Sequence, residues 1–440
     1  MRRLGQLINR HPHAKWVLAD QSVVSGSNFV TGILLARFLG PQSFGIFVVL
    51  QAVLLYFNSF QNALIFQPMM SAVPQLTEVQ RINYLQGVFA LQLVLSIGLS
   101  FIVGVIAFAP YVFDLHIKFG IDINFAVSLI AFFIAFQLQD WQRRYYFVQE
   151  RGGAAFLIDI ISYGGQVILL GVAYFSHVLD VAVAFWIMAI TSFAAFAVGF
   201  IRDSLQPVFA HARSVLRAGW RTGRDYLVAW QLQWLGAQGI LMFSAGVVGV
   251  EAVGSIRAAQ NVVGPINILF LAMENVVPVV AAKRYGQRGT SGLLHYLGRI
   301  TTFGSALLIP VLLTLAIFAA PITHLLYGDE YASSASLVIW QAASIFLQFY
   351  LRQIFFFLRT VAATGAIIRA GAIMSVTAVL VAMFTAKQYH EIGVMAALLA
   401  GTAAGLIYSF AAALKIVRTA QSRPGVVPDP PNMMGMEIKS

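Results

Sequence analysis

The chain reads as twelve apolar segments joined by short polar turns, near 16–37, 43–66, 85–109, 121–139, 154–175, 178–200, 226–248, 253–281, 300–320, 333–357, 363–386 and 392–415. A helix rises about 1.5 Å per residue, so ~20 residues cross the ~30 Å of a bilayer's hydrocarbon, and each segment is long enough to do so. Polar residues within them fall on faces. In the second segment Gln51, Asn58 and Asn62 lie at steps of seven and four, on one side of a helix. In the eighth, Arg257, Gln260, Asn267 and Glu274 share one arc, with Gly264, Leu271 and Pro278 on the same stripe. Asp20, Ser27, Asn28 and Thr31 cluster in the first segment, and Gln231, Trp234 and Gln238 in the seventh. The other segments are mostly apolar or carry single polar residues, such as Asp159 and Gln166 in the fifth. A polar side chain in hydrocarbon is costly, so these faces are expected to turn toward neighbouring helices or a wet cavity.

The polar faces belong to segments that repeat. Ala36 to Asn58 reads ARFLGPQSFGIFVVLQAVLLYFN; 209 residues later, Ala245 to Asn267 reads AGVVGVEAVGSIRAAQNVVGPIN. Six positions are identical: Ala36/Ala245, Gly40/Gly249, Gly45/Gly254, Gln51/Gln260, Val53/Val262 and Asn58/Asn267. Six segments separate the copies, so they keep the same membrane orientation. This is a parallel repeat with its axis along the membrane normal. The expected organisation is an all-α polytopic membrane protein: twelve transmembrane helices in two pseudo-symmetric six-helix lobes around a central cavity. Residues 1–200 form the first lobe, 201–225 a cytoplasmic amphipathic linker, 226–418 the second lobe, and 419–440 a disordered cytoplasmic tail.

Composition agrees. Hydrophobic residues make up 59% of the 440 residues, charged ones 10%, and the mean hydropathy is +0.79. A soluble domain would carry about a quarter charged residues. There is no cysteine, which excludes disulfides and thiolate metal sites. The net charge of +11 is distributed by side. With the N-terminus placed in the cytoplasm, 24 of the 28 Lys and Arg fall in inside segments, leaving Arg37, Lys118, Arg257 and Lys387 at or near the outside. That asymmetry supports the count of twelve and puts both termini in the cytoplasm. Arg213, Arg217, Arg221 and Arg224 form one stripe of the linker, opposite Val208, Phe209, Ala212, Val215 and Leu216. The stripe predicts an amphipathic helix on the inner leaflet, its charge facing lipid headgroups rather than nucleic acid.

The chemistry available is binding. There is no P-loop and no GxSxG motif, and His11-Pro-His13 is too short for a metal site, so neither an enzyme nor a cofactor is expected. Candidate cavity residues are Asn28, Gln51, Asn58, Asn62, Gln231, Gln238, Arg257, Gln260 and Asn267. A guanidinium at Arg257 matches phosphate bidentately, with snorkelling to outer headgroups as the alternative. Glu274, about 25 Å further along a straight helix, would take a proton or sodium ion, or pair with Arg81, Lys283 or Arg284. Asp20 and Asp159 are further ion-coupling candidates, and Arg37 is placed at the outer mouth. Gly264-Pro265 is expected to break the eighth helix.

Leu35-Ala36-Arg37-Phe38-Leu39-Gly40-Pro41 through Phe44-Gly45, echoed at Gly249 to Gly254, resembles the first outer turn of bacterial polysaccharide-unit flippases. These are the O-antigen/exopolysaccharide translocases of the multidrug/oligosaccharidyl-lipid/polysaccharide exporter superfamily. The resemblance implies a multi-pass protein of the bacterial inner membrane that moves polyprenyl-pyrophosphate-linked oligosaccharide from inner to outer leaflet by alternating access. It implies as partners the lipid-linked oligosaccharide, membrane lipids, and the polysaccharide polymerase and export machinery. Two rivals within the superfamily are a cation-coupled multidrug exporter and a lipid-linked peptidoglycan precursor flippase.

Overall fold

The structure, a computed structural model, describes residues 12–112 and 122–422. Among the described residues all regular elements are helical. Eight helical runs are long and apolar enough to cross a membrane. Three of these are double. The run through Pro12–Gln61 is broken at Gly40 (φ 72°, ψ 169°), Ile266–Ile317 at Gly289 (φ 60°) and Thr364–Ser422 at His390 (φ 48°). A positive φ takes the chain out of the right-handed helix, so each break starts a new pass.

The helices are then α1 (12–39), α2 (41–61), α3 (Glu78–Val112), α4 (Ile123–Val148), α5 (Gly152–Phe175) and α6 (Val181–Asp203). They continue as α7 (Phe209–Val247), α8 (Val250–Val263, resuming at Ile266 and ending before Gly289), α9 (290–317), α10 (Ala335–Thr360), α11 (364–389) and α12 (391–422). Two starts are capped by carboxylates: Asp122 accepts from the Phe125 amide and Asp180 from the Val183 amide, each at 2.7 Å. Single π turns interrupt two helices. Asn62–Phe66 continues α2, and Ile160–Gly164 lies within α5 directly after Asp159.

The chain divides into two compact units, residues 1–254 and 255–440. In the first, Phe89 stacks on Trp141 at 4.4 Å, amid Phe66, Met69, Tyr146 and Ile158. Arg151, between α4 and α5, makes a two-pronged pair with Asp203 at the end of α6, at 2.7 and 2.8 Å. That bond holds the Arg151 guanidinium charged to higher pH than usual. In the second unit Phe270, Leu308, Leu312, Ile345 and Phe349 form one core, and Val277, Leu293, Phe356 and Leu358 another.

The segment 201–225 departs from its sequence expectation. It is not a separate helix ahead of a lobe beginning at 226: α7 runs unbroken from Phe209 to Val247. Its basic half docks on the first unit. The Val208 amide donates to the Gln86 carbonyl at 3.2 Å, and His211 Nδ1 lies 3.3 Å from the Asn83 carbonyl. Small residues permit the approach. A Cβ at Gly219 would lie 3.0 Å from Pro68 Cβ, and one at Gly223 would lie 3.1 Å from the Ala63 carbonyl oxygen. Residues 423–440, including nearly all of the predicted tail, and His11 lie outside the described residues.

Candidate functional site

In the second unit α8 and α10 enclose a polar cavity of about 260 Å³. Its walls carry Arg257, Gln260, Asn261, Gly264, Asn267, Gln341 and Gln348, with Val263 and Ile345 between them. The helix break creates much of this. Pro265 has no amide hydrogen, so the ladder stops, and the chain turns through Gly264 N–H to Asn261 O (3.0 Å) and Asn267 N–H to Gly264 O (2.9 Å). Asn261, Gly264 and Asn267 thereby come to one wall.

Arg257 is half-buried, and its Nη1 donates to Gln260 Oε1 at 3.4 Å. None of the ion pairs among the described residues joins it to a carboxylate. A guanidinium among five side-chain amides presents positive charge, amide N–H donors and carbonyl acceptors to one space. That is the complement of an anionic group attached to hydroxyl-rich material. Arg257, Gln260 and Asn267 are three of the residues the sequence singles out. Asn261, Gln341 and Gln348 are additions from the structure. Gln341 and Gln348 are seven apart on α10, the spacing that marks Gln51/Asn58 and Gln260/Asn267.

Glu274 lies on the same helix beyond the cavity. Its partner is Arg352 of α10, not Arg81, Lys283 or Arg284. Arg352 also stands over the Phe270 ring at 4.7 Å. The pair crosses between two helices and neutralises Glu274 in place.

The first unit holds a different constellation. Asp20 of α1 and Asp159 of α5 are 1% and 0% exposed. Arg143 of α4 stands between them, with Nη2 2.6 Å from Asp20 and Nε 2.6 Å from Asp159. Gln139 donates to the other Asp159 oxygen at 2.7 Å. Burying charge requires pairing, and the fork of one guanidinium serves two helices at once. The pairing leaves one positive against two negative charges. The sequence places Asp20 and Asp159 in the membrane but does not reveal that they meet, or that Arg143 joins them.

The other predicted residues divide. Asn58 and Asn62 are buried, and Asn62 Nδ2 donates to the Asn58 carbonyl at 3.1 Å. Gln231 donates to Ser59 Oγ at 2.8 Å and Trp234 to the Ala52 carbonyl at 2.9 Å, so the polar faces of α2 and α7 meet. Asn58 Oδ1 and Gln231 Oε1 are nevertheless buried with no hydrogen-bond partner among the described residues. Gln51 and Gln238 are half-buried, while Asn28 and Arg37 are exposed.

Helical passes with polar faces turned inward define an all-α polytopic membrane protein. No family model matches the chain, and no curated protein does. Solved structures do. An inward-facing multidrug resistance MATE family transporter of the MOP superfamily aligns over 92% of this chain and 96% of its own, at 14% identity and a TM-score of 0.71. The lipid II flippase MurJ, in an inward closed conformation, aligns over 93% and 91%, at 14% identity and 0.61. A MOP superfamily transporter from Pyrococcus furiosus aligns over 93% and 95%, at 16% identity and 0.54. The fold is therefore that of the MOP-superfamily transporters, which are membrane transporters and flippases rather than enzymes.

Proposed function

We propose that this protein is a flippase of the bacterial inner membrane, both termini cytoplasmic. It carries polyprenyl-pyrophosphate-linked oligosaccharide units from the inner to the outer leaflet for exopolysaccharide or O-antigen assembly. The observation that carries the reading is Arg257, a cation with no carboxylate beside it, set among Gln260, Asn261, Asn267, Gln341 and Gln348. A pyrophosphate matches the guanidinium bidentately, and sugar hydroxyls exchange hydrogen bonds with the amides. An apolar cation, the cargo of a drug exporter, would meet like charge there and leave the amides unpaired. The chain's fold, shared with a lipid II flippase as well as with multidrug transporters, is compatible with a lipid-linked cargo. The polymerase and export machinery are the partners such a product would meet.

Of the three membrane carboxylates, Glu274 is matched by Arg352, whereas Asp20 and Asp159 share Arg143. The Asp20–Asp159 pair thus carries the surplus negative charge. We assign ion coupling to it, with one proton or sodium ion as the neutralising species.

The test is leaflet location. A strain lacking the protein is expected to accumulate lipid-linked sugar units on the cytoplasmic leaflet, and Arg257→Ala to reproduce that with normal insertion. Unchanged leaflet distribution together with lost drug resistance would reject the flippase reading in favour of export.

A further inference from the structure

The α11–α12 hairpin holds a second cavity, of about 480 Å³, on which Arg369, Tyr408 and Lys415 converge among the small residues Gly365, Ala366 and Ala412. Arg369 is fixed in place. Its Nε donates to the Tyr408 hydroxyl at 2.6 Å, and its Nη1 lies 3.5 Å from where a Cβ on Gly365 would stand. One edge of the guanidinium is thus used, and its terminal amino groups remain as donors. An arginine merely reaching for headgroup water needs no such clasp.

No carboxylate faces these cations among the described residues. Neither α10 nor α11 contains an acid, and α12 has only Glu391, at the opposite end of the hairpin. Asp329 and Glu330 precede α10 at that same far end, and Glu274 of α8 is held by Arg352. Apolar side chains flank the cavity on both helices: Ile368 is 69% exposed, Ile407 70% and Phe410 55%. Two cations on separate helices, one hollow between them and an apolar wall beside it describe an amphiphile with a small anionic head.

We propose that this cavity binds the phosphate headgroup of an anionic glycerophospholipid, whose acyl chains lie along Ile368, Ile407 and Phe410. Guanidinium, ammonium and phenol together suit a phosphodiester. Three polar side chains among alanines and glycines are too few to read an oligosaccharide, which separates this site from the α8–α10 cavity. The bound headgroup relieves the repulsion between Arg369 and Lys415 and ties α11 to α12. The proposal does not depend on what the protein transports.

The experiment compares thermal unfolding of the full chain in phosphatidylcholine nanodiscs with and without phosphatidylglycerol, alongside native mass spectrometry for retained lipid. Phosphatidylglycerol is expected to raise the unfolding temperature by several degrees and to be retained. Arg369→Gln and Lys415→Gln should each lose at least half of that shift. Arg284→Gln, a basic residue outside the cavity, should keep all of it. No effect of phosphatidylglycerol, or a full shift in both cavity variants, overturns the proposal. An equal shift from inorganic phosphate in pure phosphatidylcholine would assign the site to free phosphate, and selective retention of a polyprenyl phosphate would assign it to a lipid-linked cargo; either also overturns it. If Arg369→Gln fails to fold, Lys415→Gln carries the test alone, because no side-chain bond to Lys415 has to break.

Discussion

Gly45 and Gly254 stand back to back. A Cβ on Gly45 would lie 1.8 Å from the Val250 carbonyl oxygen, and one on Gly254 would lie 2.1 Å from the Pro41 carbonyl oxygen. Val250 is to Gly254 what Pro41 is to Gly45, since 209 residues separate both pairs. The contact is therefore reciprocal, as in an isologous interface, with a local two-fold axis between the two turns. The repeated glycines are kept at the same spacing because each copy needs the other's to be bare.

Alanine at either position must move backbone rather than a flexible side chain. Overpacking of this kind costs about 1–3 kcal/mol, and a carbonyl neighbour puts it at the upper end. Gly45→Ala and Gly254→Ala are expected to lower the unfolding temperature measured by fluorescence-detected size exclusion. Gly26→Ala in α1 meets nothing within 4 Å and should be neutral or stabilising, by up to ~1 kcal/mol from helix propensity. Equal behaviour of all three would remove the two-fold contact as a stability determinant.

Arg143→Met leaves Asp20 and Asp159 buried without a cation. Breaking one side of a buried ion cluster costs about 3–5 kcal/mol. A sharp fall in folded yield is expected, largely recovered when Asp20→Asn and Asp159→Asn are added. Arg143→Lys should recover little, because a single ammonium cannot offer the two separated N–H edges that reach α1 and α5. Recovery by lysine alone would show that net charge, not geometry, holds the cluster.

In the α8–α10 cavity, charged hydrogen bonds are worth about 1.5–3 kcal/mol and neutral ones about 0.5–1.5. At ~1.4 kcal/mol per factor of ten, Arg257→Ala should reduce translocation about 10- to 100-fold. Gln341→Ala or Gln348→Ala should reduce it by about tenfold or less. The readout is the outer-leaflet fraction of lipid-linked sugar at matched protein levels. A larger loss from Gln348 than from Arg257 would move the anion elsewhere.

The Glu274–Arg352 pair behaves differently. Both side chains are about a third exposed, at 36% and 33%, so screening and competition with solvent hold the pair to under ~1 kcal/mol. Glu274→Gln is expected to leave both the unfolding temperature and translocation nearly unchanged. A loss of transport at normal stability would return Glu274 to the coupling machinery.

The passes and the cavity-facing residues of α8 were legible because hydropathy and helical period are local properties. Gln260 and Asn267 could be placed on one face from spacing alone. Gln341 and Gln348 show the same spacing of seven but lie outside the repeat, so a search guided by repetition passes over them. The Arg143 cluster was not legible. Asp20 and Arg143 are 123 residues apart, and their meeting depends on how α1, α4 and α5 pack. The docking of α7 had a signal that its basic stripe concealed: Gly219 and Gly223 form a GxxxG pair, which lets helices approach closely. Arg213, Arg217, Arg221 and Arg224 point to headgroups, while those two glycines and His211 settle against Gly87, Pro68 and Ala63.

The unbroken course of α7 has a mechanical side. Thirty-nine residues in one helix form a stiff rod of roughly 58 Å. Gripped near one end where His211 meets α3, it carries Gln231 and Trp234 against α2 further along its length. Torque applied at the end nearest Phe209 would reach Trp234 without a flexible joint to absorb it.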